Sequence, residues 1–136
     1  MTLDPNYAGD GIYREHILDH YKNPRNAGTL EHPSFSHREL NASCGDEITI
    51  TVEEKDDILT AFRFVGKGCA ISQASTSMLS EAVVGKSFQS IMQLQREQVM
   101  DLLGIEVGAQ RTKCLMLGLV ALKNGIAVYQ AQREYG

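Results

Sequence analysis

Cys44, Cys69 and Cys114 lie 25 and 45 residues apart, and each falls where one local pattern gives way to another. Cys44 sits in Ser43-Cys44-Gly45-Asp46, two residues before an aspartate. Cys69 follows Gly66-Lys67-Gly68, and Cys114 closes Arg111-Thr112-Lys113-Cys114. Three thiols and a carboxylate supply the donors that a tetrahedral metal takes. Thiolates are also nucleophiles, so the same set suits sulfur chemistry. The spacing is not that of a zinc finger, whose paired cysteines gather the metal locally. A site drawn from segments this far apart requires a fold that brings them together.

The pattern around these residues predicts strands first and helices after. Residues 1–9 read as a loose polar tail, with a single domain over 10–136. Asp10 is a suitable N-cap for a first helix carrying Tyr13, Ile17 and Tyr21 on one face with Leu18 beside them. Pro24 ends it, and Asn23-Pro24-Arg25-Asn26-Ala27-Gly28 is turn chemistry. Strands are expected over about Ser36–Asn41, then Glu47–Glu54, where Ile48, Ile50 and Val52 alternate with threonines, then Leu59–Val65. Asp56-Asp57 supplies the turn of an antiparallel meander with one buried face.

From Ala70 the period becomes helical, through Ile71, Ala74, Met78, Ala82 and Val83 to a stop at Gly85. Ser87 can cap a short helix with Phe88, Ile91 and Leu94. Val99, Leu102 and Leu103 make another, stopped by Gly104. A last helix is expected from near Thr112 to Lys123, with Asn124-Gly125 ending it. The order predicts an α+β fold, a three-stranded antiparallel sheet with helices packed on one face.

Composition excludes several classes. With 13 Lys and Arg against 17 Asp and Glu, the net charge is −4, and no basic run marks a nucleic-acid surface. No membrane span is expected, since no uninterrupted apolar run reaches the required length. An odd cysteine count without an export signal fits a reducing, cytoplasmic setting.

A lone cysteine is often a small buried hydrophobe. Position argues otherwise here: Cys69 is expected to open a helix and Cys114 to lie in the first turn of another. There the unpaired N–H groups and the helix dipole favour thiolate. Asp46 can cap a backbone amide of its turn, or turn toward the same point as Cys44. His16 and His20, four apart on the first helix, could chelate a metal, but without a His-Glu-x-x-His arrangement they read as part of a solvated face; His32 and His37 carry no motif.

Four segments resemble one known family. They are Tyr21-Lys22-Asn23-Pro24-Arg25-Asn26-Ala27-Gly28, Asn41-Ala42-Ser43-Cys44-Gly45-Asp46, Gly66-Lys67-Gly68-Cys69-Ala70-Ile71-Ser72-Gln73-Ala74-Ser75 and Arg111-Thr112-Lys113-Cys114. In this order they resemble the IscU/SufU (NifU N-terminal-like) iron–sulfur cluster assembly proteins. Gly-Cys-Ala-Ile-Ser and Lys113 look like the SufU branch, on an interval between the second and third cysteines as short as in IscU. The Leu-Pro-Pro-Val-Lys segment of IscU is replaced by Ile105-Glu106-Val107-Gly108-Ala109-Gln110.

The resemblance implies that Cys44, Asp46, Cys69 and Cys114 hold Zn2+, and that a cysteine desulfurase passes persulfide sulfur to one cysteine. Cys44, beside Gly45, is the expected acceptor. The alternative it implies is a scaffold on which iron and a 2Fe–2S cluster occupy the same ligands before transfer to downstream assembly proteins or apo-proteins. A zinc-stabilised domain without sulfur chemistry is the third reading. The first helix and Tyr21–Gly28 are the implied desulfurase surface, with Arg25 offering a bidentate contact to a partner carboxylate.

Overall fold

The computed structural model describes residues 7–42, 45–104 and 108–135. Their order is α1 (Tyr7–Lys22), β1 (Phe35–Asn41), β2 (Asp46–Lys55), β3 (Ile58–Lys67), α2 (Ala70–Val83), α3 (Phe88–Met92), α4 (Arg96–Leu103) and α5 (Ala109–Tyr135). The strands form one antiparallel sheet in the order β1-β2-β3, the α+β arrangement that the hydrophobic pattern predicts.

Period-2 alternation places Ile48, Ile50 and Val52 of β2 on one face, with Phe62 and Phe64 of β3, all buried. β2 and β3 are joined by Asp56 and Asp57, both at positive φ (54° and 63°), the two-residue turn whose twist matches the strands. α5 lies along β1 and β2, and α2 packs against both α5 and β3. The opposite face is crossed by the segment before β1. Asn26 and Gly28 bond Phe64 through the backbone, Leu30 N–H donates to the buried Thr51 Oγ1 at 3.0 Å, and Ser34 N–H donates to Val52 O.

Ser87 and Gly104 act as the sequence pattern predicts. Ser87 Oγ accepts Ser90 N–H to cap α3, and Gly104 ends α4 at φ 73°.

α5 departs from expectation. It runs 27 residues, begins before Thr112 and continues through Asn124-Gly125. Gly125 is a contact residue and not a stop: a Cβ there would stand 2.8 Å from Phe35 Cε2 and 3.0 Å from His37 Cβ. The absent side chain lets the helix lie on β1. Beyond it, the Tyr129 ring stacks on Phe35 at 5.0 Å between centroids, and its hydroxyl donates to Glu54 Oε1. Arg133 then bonds Asp57 Oδ1 at 2.8 Å. Tertiary packing overrides the local stop signal. By length and composition Arg111–Glu134 could cross a membrane, with mean hydropathy 1.4, a stretch that the search for uninterrupted apolar runs overlooked. Half of it is buried within the domain, and Leu115, Leu119, Leu122 and Ile126 belong to the core.

α1 also differs. It begins at Tyr7, so residues 7–9 are helical and Asp10 is not its N-cap; residues 1–6 lie outside the described residues. Packing on α2 supports a helix that its own glycines would weaken. Among its described side chains Ile17 and His20 face inward, while Leu18 and Tyr21 are exposed. His20 is thus not on a solvated face. It is 3% exposed, with Nδ1 2.8 Å from Ser77 Oγ on α2 and Nε2 4.0 Å from Glu81 Oε1.

Ser77 Oγ also accepts Arg25 N–H at 2.8 Å, and Asn26 Nδ2 donates to Ser80 Oγ at 2.9 Å. The turn after α1 is therefore fastened to buried serines of α2. Nor does Arg25 present an unengaged guanidinium. It bonds Asp19 Oδ2 at 2.6 Å and the Asn23 carbonyl at 3.2 Å, because a helix stopped at Pro24 brings its last turn back beside that corner.

Two predictions follow from this packing. Gly125→Ala should lower stability by about 1–3 kcal/mol, the range for forcing atoms into a packed contact. Denaturant unfolding with an unchanged midpoint would show that α5 and β1 can separate without loss.

The second concerns pH. Burial pushes the His20 pKa below its ordinary value, with Arg25 and His16 adding to the effect and Glu81 and Asp19 opposing it. The unfolded chain therefore takes up the proton first as pH falls through about 6.5. Stability should be full above that pH and decline below it. Metal-free protein unfolded between pH 7.5 and 5.5 should show this slope, and His20→Gln should flatten it. An equal slope in the variant would assign the effect to other groups.

Candidate metal centre

β2 starts at Asp46, paired across the ladder with Asn41 of β1. Gly45 N–H donates to Asn41 O at 2.9 Å, with Gly45 at φ 71°, a left-handed conformation that glycine adopts without strain. This closes the connection that contains Ser43 and Cys44, both of which lie outside the described residues. Asp46 itself is 1% exposed.

At the far end of β3 the chain turns through Gly68, at φ 139°, into Cys69, the N-cap of α2. A Cβ on Gly68 would lie 2.0 Å from Asp46 Oδ1, so only glycine admits the carboxylate to this place. Asp46 Oδ1 accepts Cys69 N–H at 2.9 Å, and Asp46 Oδ2 accepts the Cys69 thiol at 3.6 Å. Asp46 thus satisfies an amide, although not one of its own hairpin. A carboxylate from β2 supplies the negative charge that a helix N-terminus favours.

The third donor comes from α5. Cys114 is 4% exposed, and it lies in the second turn because α5 starts at Ala109, earlier than expected. The helix-end position is therefore as expected for Cys69, the N-cap of α2, and not for Cys114. One donor atom each from Asp46, Cys69 and Cys114 nevertheless lies within 4.8 Å of the others. Among the described residues this is the one cluster of three or more such donors. His16 and His20 do not form another; their rings meet edge to face at 4.8 Å.

The chemistry of the donor set decides what fits. Donors drawn from three elements meet here in a largely buried place, where a cation is the partner that compensates anionic ligands. Two sulfurs and a carboxylate oxygen suit Zn2+. One carboxylate oxygen is held by an amide while the other faces the sulfur, the kind of orienting bond that surrounds protein metal ligands.

Beside the cluster, Lys113 is exposed, at the rim of a groove of about 260 Å³ between β1 and α5. Glu39 and Asn41 line it with Leu40, Met116 and Val120. Sequence reasoning missed the role of Gly68; the signal was the glycine immediately before Cys69, which reads only as a loop flank until Asp46 is seen under it.

Comparison with known proteins identifies the family. The NifU-like N terminal domain matches residues 12–135. The chain belongs to this family. It is 34% identical over 135 residues to the zinc-dependent sulfurtransferase SufU of Bacillus subtilis, covering 87% of this chain and 91% of that protein. It is 37% identical over 119 residues to the iron–sulfur cluster assembly scaffold protein IscU of Aquifex aeolicus, covering 86% and 75%. A crystal structure from Fervidobacterium islandicum, described as an iron–sulfur cluster assembly scaffold protein for the SUF system, superposes with a TM-score of 0.72 at 27% identity. That match covers 88% of this chain and 99% of the other. These similarities support a place in the IscU/SufU group beside SufU.

Gly68→Ala should displace the Asp46 carboxylate and weaken metal retention by about 10- to 100-fold, the range for disturbing groups that orient ligands. Competition with a chromogenic chelator reads the affinity directly. Retention equal to the parent would mean that Asp46 can move aside without cost to the site.

Proposed function

We propose that this chain acts in iron–sulfur cluster assembly as a zinc-dependent sulfur acceptor, taking persulfide sulfur from a cysteine desulfurase. The convergence of Asp46, Cys69 and Cys114 from three separate elements carries the reading, and the similarity to a zinc-dependent sulfurtransferase supports it. Cys44 is the proposed fourth ligand and the acceptor. Bound zinc would supply positive charge that keeps the thiols deprotonated.

The residues have distinct parts in this scheme. Asp46, Cys69 and Cys114 are donors set on a strand, a helix cap and a helix interior. Cys44 belongs to the connection between β1 and β2, next to a glycine, where a change of backbone angle costs least. As a thiolate it attacks the outer sulfur of the desulfurase persulfide. A sulfur–sulfur bond forms on Cys44 while the bond to the desulfurase cysteine breaks, and that cysteine leaves as thiolate with the electron pair. No net oxidation occurs. We place the reaction in the cytoplasm, where thiols stay reduced. The proposed docking surface is α1, with its exposed Leu18 and Tyr21, and the corner that follows it.

A scaffold reading, in which a 2Fe–2S cluster is built on the same donors and handed on, is favoured by the similarity to IscU. Zinc, iron and acid-labile sulfide measured on protein purified anaerobically separate the two. One zinc per chain without sulfide is expected; iron with matching sulfide would establish the scaffold.

Incubation with desulfurase and cysteine, followed by peptide mass spectrometry, should find the added sulfur on Cys44, and Cys44→Ser should abolish acceptance. Sulfur on Cys114 with Cys44 unmodified would defeat the assignment.

A further inference from the structure

Buried serines and threonines line α2: Ser72, Ser75, Thr76, Ser77 and Ser80 are all at most 1% exposed. A hydroxyl inside a helix ordinarily returns to a carbonyl of its own preceding turn. Thr76 does so, donating to Ser72 O at 2.8 Å, and Ser80 donates to Ser77 O at 2.6 Å. Ser75 does not follow suit. Its hydroxyl crosses to α5 and donates to Leu115 O at 2.8 Å, while its own-helix acceptor, Ser72 O, stands at 3.4 Å. Leu115 is the residue after Cys114.

We infer that Ser75 is a positioning residue for the metal centre, fixing the turn of α5 that carries Cys114 against the helix that carries Cys69. A second contact works in the same direction. Gly118 lies against Thr76, and a Cβ at Gly118 would stand 2.4 Å from Thr76 Oγ1. The missing side chain allows the helices to close, and the Ser75 bond then sets how far one can slide past the other. The two described sulfur donors sit on these two helices, so their separation is set by this seam. Neither cysteine needs to be touched for the site to be altered. Tenths of an ångström count for a metal's donors, and positioning on rigid elements is what supplies that precision.

The inference rests on the metal reading above. Its test uses cobalt(II) as the probe, titrated anaerobically into the whole chain and followed by thiolate-to-metal absorption. Ser75→Ala should bind cobalt about tenfold more weakly, as for other groups that orient ligands, with an altered ligand-field spectrum. Its metal-free melting temperature should match that of Ser80→Ala, a control on the same helix remote from the site. Ser75→Thr, which keeps the hydroxyl, should restore the parent's affinity and spectrum.

Parent-like binding by Ser75→Ala overturns the inference, as does equal loss in Ser75→Ala and Ser75→Thr, which would make the site sensitive to packing and not to the bond. If Ser75→Ala does not fold, Gly118→Ala decides: weaker cobalt binding is expected, and parent-like binding overturns the proposal. A parent chain that binds no cobalt would remove the metal reading itself, and this inference with it.

Discussion

The bond from the Cys69 amide to Asp46 Oδ1, 2.9 Å long, ties the first residue of β2 to the cap of α2. Much of the local architecture follows from it. The carboxylate is buried, and a buried charge without partners would be expelled or neutralised. It stays because a helix start offers an amide and a positive dipole end at that place. Gly68 makes the approach possible by having no side chain where the carboxylate lies. The start of β2 is then held at the mouth of α2, beside Cys69 and Cys114.

α2 is the member through which distant parts are joined. Its N-terminal cap holds Cys69, and its middle meets α5 through Ser75 and Thr76. Its later turns bind the corner after α1 through Ser77 and Ser80. A helix with polar hydroxyls buried along its length is costly unless each is bonded. Here those of Ser72, Ser75, Thr76, Ser77 and Ser80 all have partners. The same bonds that satisfy them also specify which segment lies against which part of the helix. Apolar side chains would bury as well but would fix the register less sharply.

Much of this was legible in the residues. Alternation at Ile48, Ile50 and Val52, the Asp56-Asp57 turn and the stop at Gly104 are local signals, and local geometry obeyed them. What failed was inference from local signals whose partners are distant. Asn124-Gly125 reads as a helix end because glycine is a poor helix residue, yet Phe35 and His37 need the space that its missing side chain leaves. His20 reads as solvated because it belongs to no His-Glu-x-x-His arrangement, but Ser77, 57 residues later, gives it a buried partner. The three described donors were named from spacing and resemblance, whereas the seam that sets their separation has no signature in one sequence. A serine that bonds its own helix and one that bonds the next are the same letter.

The donors differ in how firmly the fold holds them, and this difference has a chemical consequence. Asp46 is fixed by a strand ladder and an amide, Cys69 by a helix cap, and Cys114 by burial in a helix that the sheet and α2 hold along its length. For Asp46 or Cys114 to leave the cluster, packing would have to open, while half-buried Cys69 is held through its backbone. The remaining thiol of the chain is attached at Gly45, whose φ of 71° already lies where other residues are strained and glycine is not. A donor set with three rigid members and one on a glycine-flanked connection can release one ligand without losing its shape. Sulfur acceptance needs a thiolate that is held in reserve and then presented to a partner. On the proposed reading, with Cys44 as fourth ligand, three firm donors and one exchangeable donor would meet both demands in a single domain.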